Sequence, residues 1–156
     1  FTTIWMDSLR NGKFTLSNTN KLIRFYKGAT GLKTGSTSVA KNCISATAKR
    51  DGMHLIAVVM GAETSKKRFA DASNMLNYGF GAYKVKKVVE KGGAMAEVKI
   101  KKGMKSKTAL LAKDDFTYLT KKNDSTEVLP KINAQTEFDA PVKKGEKCGI
   151  IEIVSD

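Results

Sequence analysis

The sequence predicts an α+β chain in two parts: a sheet-and-helix segment over residues 1–82 and a small all-β domain over 83–156. Three observations carry that expectation. An Asp-Gly pair separates two long β-like runs, one segment after Gly61 repeats at helical spacing, and short β-like runs follow one another from Tyr83 onward.

Taken in order, Leu22–Tyr26 and Gly31–Ser36 read as short strands. Cys43–Arg50 and Met53–Gly61 flank Asp51-Gly52, which supplies the positive φ that a two-residue type I′ hairpin demands. Leu55 to Met60 is apolar without alternation, which predicts a strand covered on both faces. Beyond Gly61 the period changes. Phe69, Ala72, Ser73, Leu76 and Phe80 recur every three to four residues, with Lys66, Lys67 and Asp71 turned away. Thr64 or Ser65 can cap the start of this helix, and Gly79 or Gly81 can end it.

From Tyr83 the spacing predicts strands near 84–89, 95–101, 107–112, 116–121, 126–132 and 147–154. Gly92-Gly93, Lys102-Gly103, Asn123-Asp124 and Lys144-Gly145 supply turns between them, a pattern that indicates a small sandwich or barrel.

Composition narrows the class. The 156 residues are 41% hydrophobic, with 28 Lys+Arg, 15 Asp+Glu, one His and two Cys, giving a net charge of +13. That apolar content builds a core and argues against disorder. Cys43, Cys148 and His54 cannot furnish four zinc ligands. No cofactor or metal is implied. A start at Phe1 without an N-terminal targeting pattern reads as a piece of something longer. The charge alone suits a nucleic-acid binder. Its Lys residues are spread along every strand and turn, however, and no aromatic stacking motif accompanies them. An anionic envelope surface fits that spread as well, so nucleic acid is not the expected partner.

The informative triplet is Lys33-Thr34-Gly35, on a strand leading into the long hairpin. Asn18-Thr-Asn-Lys-Leu-Ile precedes Gly28-Ala-Thr-Gly-Leu-Lys-Thr-Gly-Ser-Thr, with Ala46-Thr-Ala-Lys-Arg-Asp-Gly-Met and Val58-Val-Met-Gly-Ala after it. This order resembles the D-alanyl-D-alanine carboxypeptidases, the low-molecular-mass serine penicillin-binding proteins, whose signature includes Lys-Thr-Gly. The match is strong over residues 14–82 and looser over 83–153. The resemblance implies the C-terminal part of a penicillin-recognising, β-lactamase-like antiparallel sheet with a packed helix, then a small all-β sandwich.

The physics of the triplet suits such chemistry. A strand edge accepts an extended peptide as an added strand, and Gly35 lets its backbone come close. Lys33 brings a fixed positive charge, and the Thr34 hydroxyl can donate to a carboxylate. By resemblance, the backbone N–H of Ser36 is half of an oxyanion hole, and Arg68, near the helix start, holds the terminal carboxylate. The implied substrate is a peptidoglycan stem peptide ending in D-Ala-D-Ala, cleaved through an acyl-enzyme that β-lactams trap. The implied location is the outer face of the bacterial cytoplasmic membrane, with a membrane anchor that this chain lacks.

Two departures bear on activity. The family's Ser-x-x-Lys nucleophile motif lies far upstream of Lys-Thr-Gly and is followed by Ser-x-Asn. No Ser-x-Asn occurs here, and the single Ser-x-x-Lys, Ser38-Val-Ala-Lys41, follows the triplet too closely to face it. The chain is therefore expected to be inactive alone. Lys41 also stands where the family commonly has a small residue. His54, Cys43 and Cys148 read as structural, with Cys43 a small buried hydrophobe, and Arg24 and Arg50 as structural or surface residues. The competing readings are a β-lactamase or transpeptidase of the same fold, and a non-catalytic envelope-binding module. Sheet edges left exposed predict a possible dimer.

Overall fold

The computed structural model describes residues 1–155, so the expected end of the second domain at residue 156 lies outside the described residues. The chain divides into two compact units, Phe1–Lys84 and the residues from Val85 onward.

The first unit opens with a hairpin, β1 (Met6–Leu9) against β2 (Phe14–Ser17). Sequence reasoning did not anticipate it, although its turn carries Arg10, Asn11 and Gly12 at φ 52°, 54° and 87°. Asn-Gly is the legible part of that signal. A single helical turn, α1 (Leu22–Phe25), follows where a strand was expected. The side chain of Asn18 accepts from the Asn20 N–H at 2.9 Å, and that of Asn20 accepts from the Leu22 N–H at 3.1 Å. Those short polar side chains wind the backbone locally and override the β-like texture of Leu22–Tyr26.

A three-stranded antiparallel sheet forms the body of the unit, in the order β3 (Ala29–Thr37), β4 (Lys41–Arg50), β5 (Met53–Ala62). Asp51 and Gly52 turn between β4 and β5 with φ 47° and 77°, as the type I′ expectation requires. Helix α2 (Ser65–Ala82) starts where Thr64 accepts the Lys67 N–H on its side-chain oxygen at 3.1 Å. Its Ala72 and Leu76 pack with Ile44, Ala46, Ala48, Ala57 and Leu22. The run of alanines lets the helix lie close to the sheet. Ile44 and Leu76, only 2% and 1% exposed, each contribute about 1.5–3 kcal/mol by burial.

The expectation that β5 is covered on both faces is corrected. Ala57 is buried and Leu55 and Val59 are half-buried, but Ile56, Val58 and Met60 are 69%, 58% and 77% exposed. The side chains alternate because α2 covers only one face. Nor is Cys43 a buried hydrophobe: it is half-buried, and its thiol donates to the Ala40 carbonyl at 3.2 Å.

The second unit is all β among the described residues. Strand β6 (Tyr83–Val89) begins at the boundary and pairs with β9 (Phe116–Lys121). Strand β7 (Ala94–Lys101) runs antiparallel to β8 (Lys107–Leu111) and parallel to β11 (Glu137–Asp139), while β10 (Val128–Ala134) pairs with β12 (Gly149–Ser155). The three-residue β11 was not expected, being too short to show an alternation. Among the described residues of the second unit, Val89, Val98, Ala112 and Thr120 are the buried ones. No described helix is long and apolar enough to cross a membrane.

Candidate active-site wall

Strand β3 is an edge of its sheet, so one side of its backbone pairs with β4 and the other faces outward. Lys33, Thr34, Gly35 and Ser36 lie opposite Ser45, Ile44, Cys43 and Asn42 in turn. The Lys33 side chain is exposed, and its ammonium donates to the Thr34 carbonyl. Alternation turns the next residue inward. Thr34 is buried, and its hydroxyl shares a 2.8 Å hydrogen bond with the hydroxyl of Thr19.

Gly35 has an ordinary reason to be glycine removed. Its φ is not in the left-handed region, and a Cβ built on it meets nothing within 4 Å. Nothing in this fold requires glycine there, and the open space beside it leaves room for a second backbone.

Arg68, from the first turn of α2, reaches the same strand. Its Nη1 donates to the Gly35 carbonyl at 3.1 Å, the Ser36 hydroxyl at 3.1 Å and the Cys43 carbonyl at 3.3 Å, and Nη2 donates to Ser65 Oγ at 3.1 Å. The guanidinium carbon lies 4.9 Å from the Phe69 ring centroid. Although charged, Arg68 is 7% exposed, and its Nε has no hydrogen-bond partner among the described residues. The Ser36 hydroxyl in turn donates to Asn42 Oδ1 at 3.1 Å, and the Asn42 amide donates to the carbonyls of Ala62 and Glu63. Asn42 thereby ties the end of β3 to the junction between β5 and α2.

The structure thus brings Lys33, Thr34, Gly35, Ser36 and Arg68 into one neighbourhood. Thr19 and Asn42 are the members that sequence reasoning missed. Asn18-Thr-Asn carried a usable signal for Thr19, since two Asx side chains pin the backbone on either side of it. Nothing in the sequence marked Asn42. Ser38 sits at the tip of the β3–β4 turn, and Lys41 opens β4 with φ 53°. His54 is exposed, with Nε2 at 3.2 Å from the Thr30 hydroxyl. Arg50 donates to the Lys27 carbonyl at 2.8 Å and lies over the rings of Tyr26 and Phe80. Burial pushes the Tyr26 phenol above its ordinary pKa, against the opposing pull of Arg50. No group of three or more potential metal ligands occurs among the described residues.

The chain is similar to known proteins along its length. Residues 2–64 match the family described as D-alanyl-D-alanine carboxypeptidase, and residues 83–156 match the one described as penicillin-binding protein 5, C-terminal domain. D-alanyl-D-alanine carboxypeptidase DacF of Bacillus subtilis is 39% identical over 160 residues, covering 100% of this chain and 41% of the relative. DacA of Haemophilus influenzae is 32% identical over 76% of this chain and 31% of its own length. Among solved structures, penicillin-binding protein 5 from Haemophilus influenzae superposes with a TM-score of 0.69 at 28% identity, over 99% of this chain and 45% of that one. The chain therefore spans less than half the length of the curated relatives it matches.

Proposed function

Since this chain is a portion of a protein of the D-alanyl-D-alanine carboxypeptidase family, we propose that residues 1–82 are one wall of a serine acyl-transfer site. The observation that carries this reading is the edge strand β3, with Lys33 exposed, open space at Gly35 and a buried Arg68 fastened to the end of the triplet. The substrate is a peptidoglycan stem peptide ending in D-Ala-D-Ala, laid along β3 as an added strand.

In this mechanism a serine outside the chain attacks the carbonyl carbon of the penultimate D-alanine and gives its proton to a neighbouring lysine. The scissile C–N bond breaks, and D-alanine leaves as a protonated amine. Water then hydrolyses the resulting ester. The wall described here positions and stabilises. The backbone N–H of Ser36 faces the developing oxyanion, and Lys33 meets negative charge on the substrate, while Thr34, buried and bonded to Thr19, steadies the strand behind it. Arg68 and the start of α2 supply the positive end for the terminal carboxylate. Nη1 is committed to the strand and Nε is buried, so the Nη2 hydrogen not given to Ser65 is the donor left for that task. The same geometry accepts the carboxylate of a β-lactam. Residues 83–156, all β among those described, form a separate domain, and the enzyme works on the outer side of the cytoplasmic membrane.

Intact-mass spectrometry with and without penicillin tests the reading on this chain and on a longer protein that contains it. The expected result is a covalent adduct on the longer protein and none on the chain alone. A folded longer protein that takes no adduct overturns the acyl-transfer reading. An adduct on the chain alone assigns the nucleophile to Ser38 instead.

A further inference from the structure

A cavity of about 460 Å³ lies between α1 and the first turns of α2, lined by Lys21, Leu22, Phe25, Ser65, Lys66, Phe69, Ala70 and Ser73. That volume falls within the roughly 300–1,000 Å³ typical of small-molecule sites. Its walls are of two kinds. Leu22 is buried and Phe69 half-buried, and Phe25 leaves 71% of its surface open. Lys21 and Lys66 stand at the same cavity, both exposed, and neither makes an ion pair among the described residues. The adjacent Lys67, by contrast, is paired with Glu63 at 3.4 Å.

The backbone adds to this positive field. The first turn of α2 contains no acidic residue, and the Thr64 side chain satisfies only the Lys67 N–H. Just before the cap, the acidic Glu63 is paired with Lys67, which leaves Lys21 and Lys66 as unpaired ammonium groups near the positive end of the α2 dipole. An apolar trough with two unpaired cations selects for a ligand that is apolar along its body and carries a single negative head.

We propose that this cavity is a binding site for a small carboxylate amphiphile, its apolar body against Phe25, Phe69 and Leu22 and its carboxylate held by Lys21 and Lys66. The site stands apart from the β3 edge, and the proposal does not depend on the catalytic reading. The two are nevertheless one side chain apart: Ser65 lines the cavity and accepts a hydrogen bond from Arg68, which grips Gly35 and Ser36.

The test is an amide chemical-shift titration of the isotope-labelled protein with decanoate below its micelle concentration, with decanol and acetate in parallel. The expected result is saturable shifts at Leu22, Phe25, Ser65, Lys66 and Phe69 with decanoate. Decanol and the Lys21→Gln/Lys66→Gln variant should each bind about fivefold more weakly, the weight of two solvent-screened ion pairs. Acetate, lacking the apolar body, should cause no saturable shift. Equal affinity for decanol, equal affinity for acetate, or decanoate shifts confined to Ile56, Val58 and Met60 on the open sheet face each overturn the proposal. Because both lysines are exposed, the double variant keeps the fold. The comparison among ligands needs no variant at all.

Discussion

The guanidinium of Arg68 donates to the main-chain carbonyl of Gly35 at 3.1 Å, so the first turn of α2 is fastened to the strand that carries Lys33-Thr34-Gly35. A residue expected at the surface of a substrate site is also a structural brace. Removing it leaves the carbonyls of Gly35 and Cys43 with one donor fewer in a partly buried place.

Arg68→Ala is therefore expected to lower stability by about 2 kcal/mol, from the lost charge-assisted hydrogen bonds of a buried side chain. Arg68→Lys cannot reproduce the fork of donors and should recover only part of that loss. Urea denaturation followed through Trp5 fluorescence measures both. A midpoint unchanged in Arg68→Ala would remove the brace.

Glycine substitutions separate folding from binding. Gly35→Ala meets open space and should change stability by no more than about 0.5 kcal/mol. In a longer, active protein it should still slow penicillin acylation, because the added methyl occupies the approach of the substrate backbone. Gly28→Ala is the control. Gly28 sits at φ +79° with a built Cβ 2.5 Å from the Lys49 carbonyl oxygen, and the change should cost about 1–3 kcal/mol. Thermal unfolding of the two variants should therefore differ clearly, and equal values would contradict the geometry.

The all-β domain should lose stability in acid. Hydrogen bonds from Thr126 and then Thr120 hold the Asp124 carboxyl below the usual carboxylate range, and the Lys91 N–H followed by Lys87 does the same for Asp115. Hydrogen bonding to Lys101 lowers Glu137. A depressed folded-state pKa contributes stability that is complete above the unfolded value, about 4 for carboxylates, and is lost as pH falls through the folded value. Chemical denaturation from pH 7 down to pH 2 (a range set by about 4 for carboxylates) should show the loss, and Asp124→Asn should flatten it. All three groups are exposed, so the effect should shrink in high salt.

Self-association is the fourth expectation. Strand β5 is a sheet edge, and Ile56, Val58 and Met60 are exposed on its open face. Light scattering across a concentration series should give a mass that rises with concentration, and Val58→Lys should suppress the rise. A constant monomer mass would count against pairing through this strand.

Local signals were legible where the backbone itself demanded a residue type. Asp51-Gly52 declared its turn through positive φ, and Thr64 with the apolar period to Phe80 declared α2. What the sequence hid depended on partners remote in the chain. Arg68 read as part of a basic surface run with Lys66 and Lys67, yet α2 turns only Arg68 toward β3, and its burial follows from contacts with residues 25 to 33 positions away. The apolar run in β5 could say that its side chains are hydrophobic on both faces. It could not say that α2 covers just one of them. In α1, two asparagine side chains outweighed the texture of five residues, which a count of β-formers does not register.

Arg50 lies 4.4 Å from the Tyr26 ring and 4.6 Å from the Phe80 ring, and it donates to Lys27 near the far end of the sheet. Helix α2 is therefore clamped twice, by Arg68 at its beginning and by Arg50 against Phe80 near its end. A rod pinned at two points can neither slide along its support nor swivel on it.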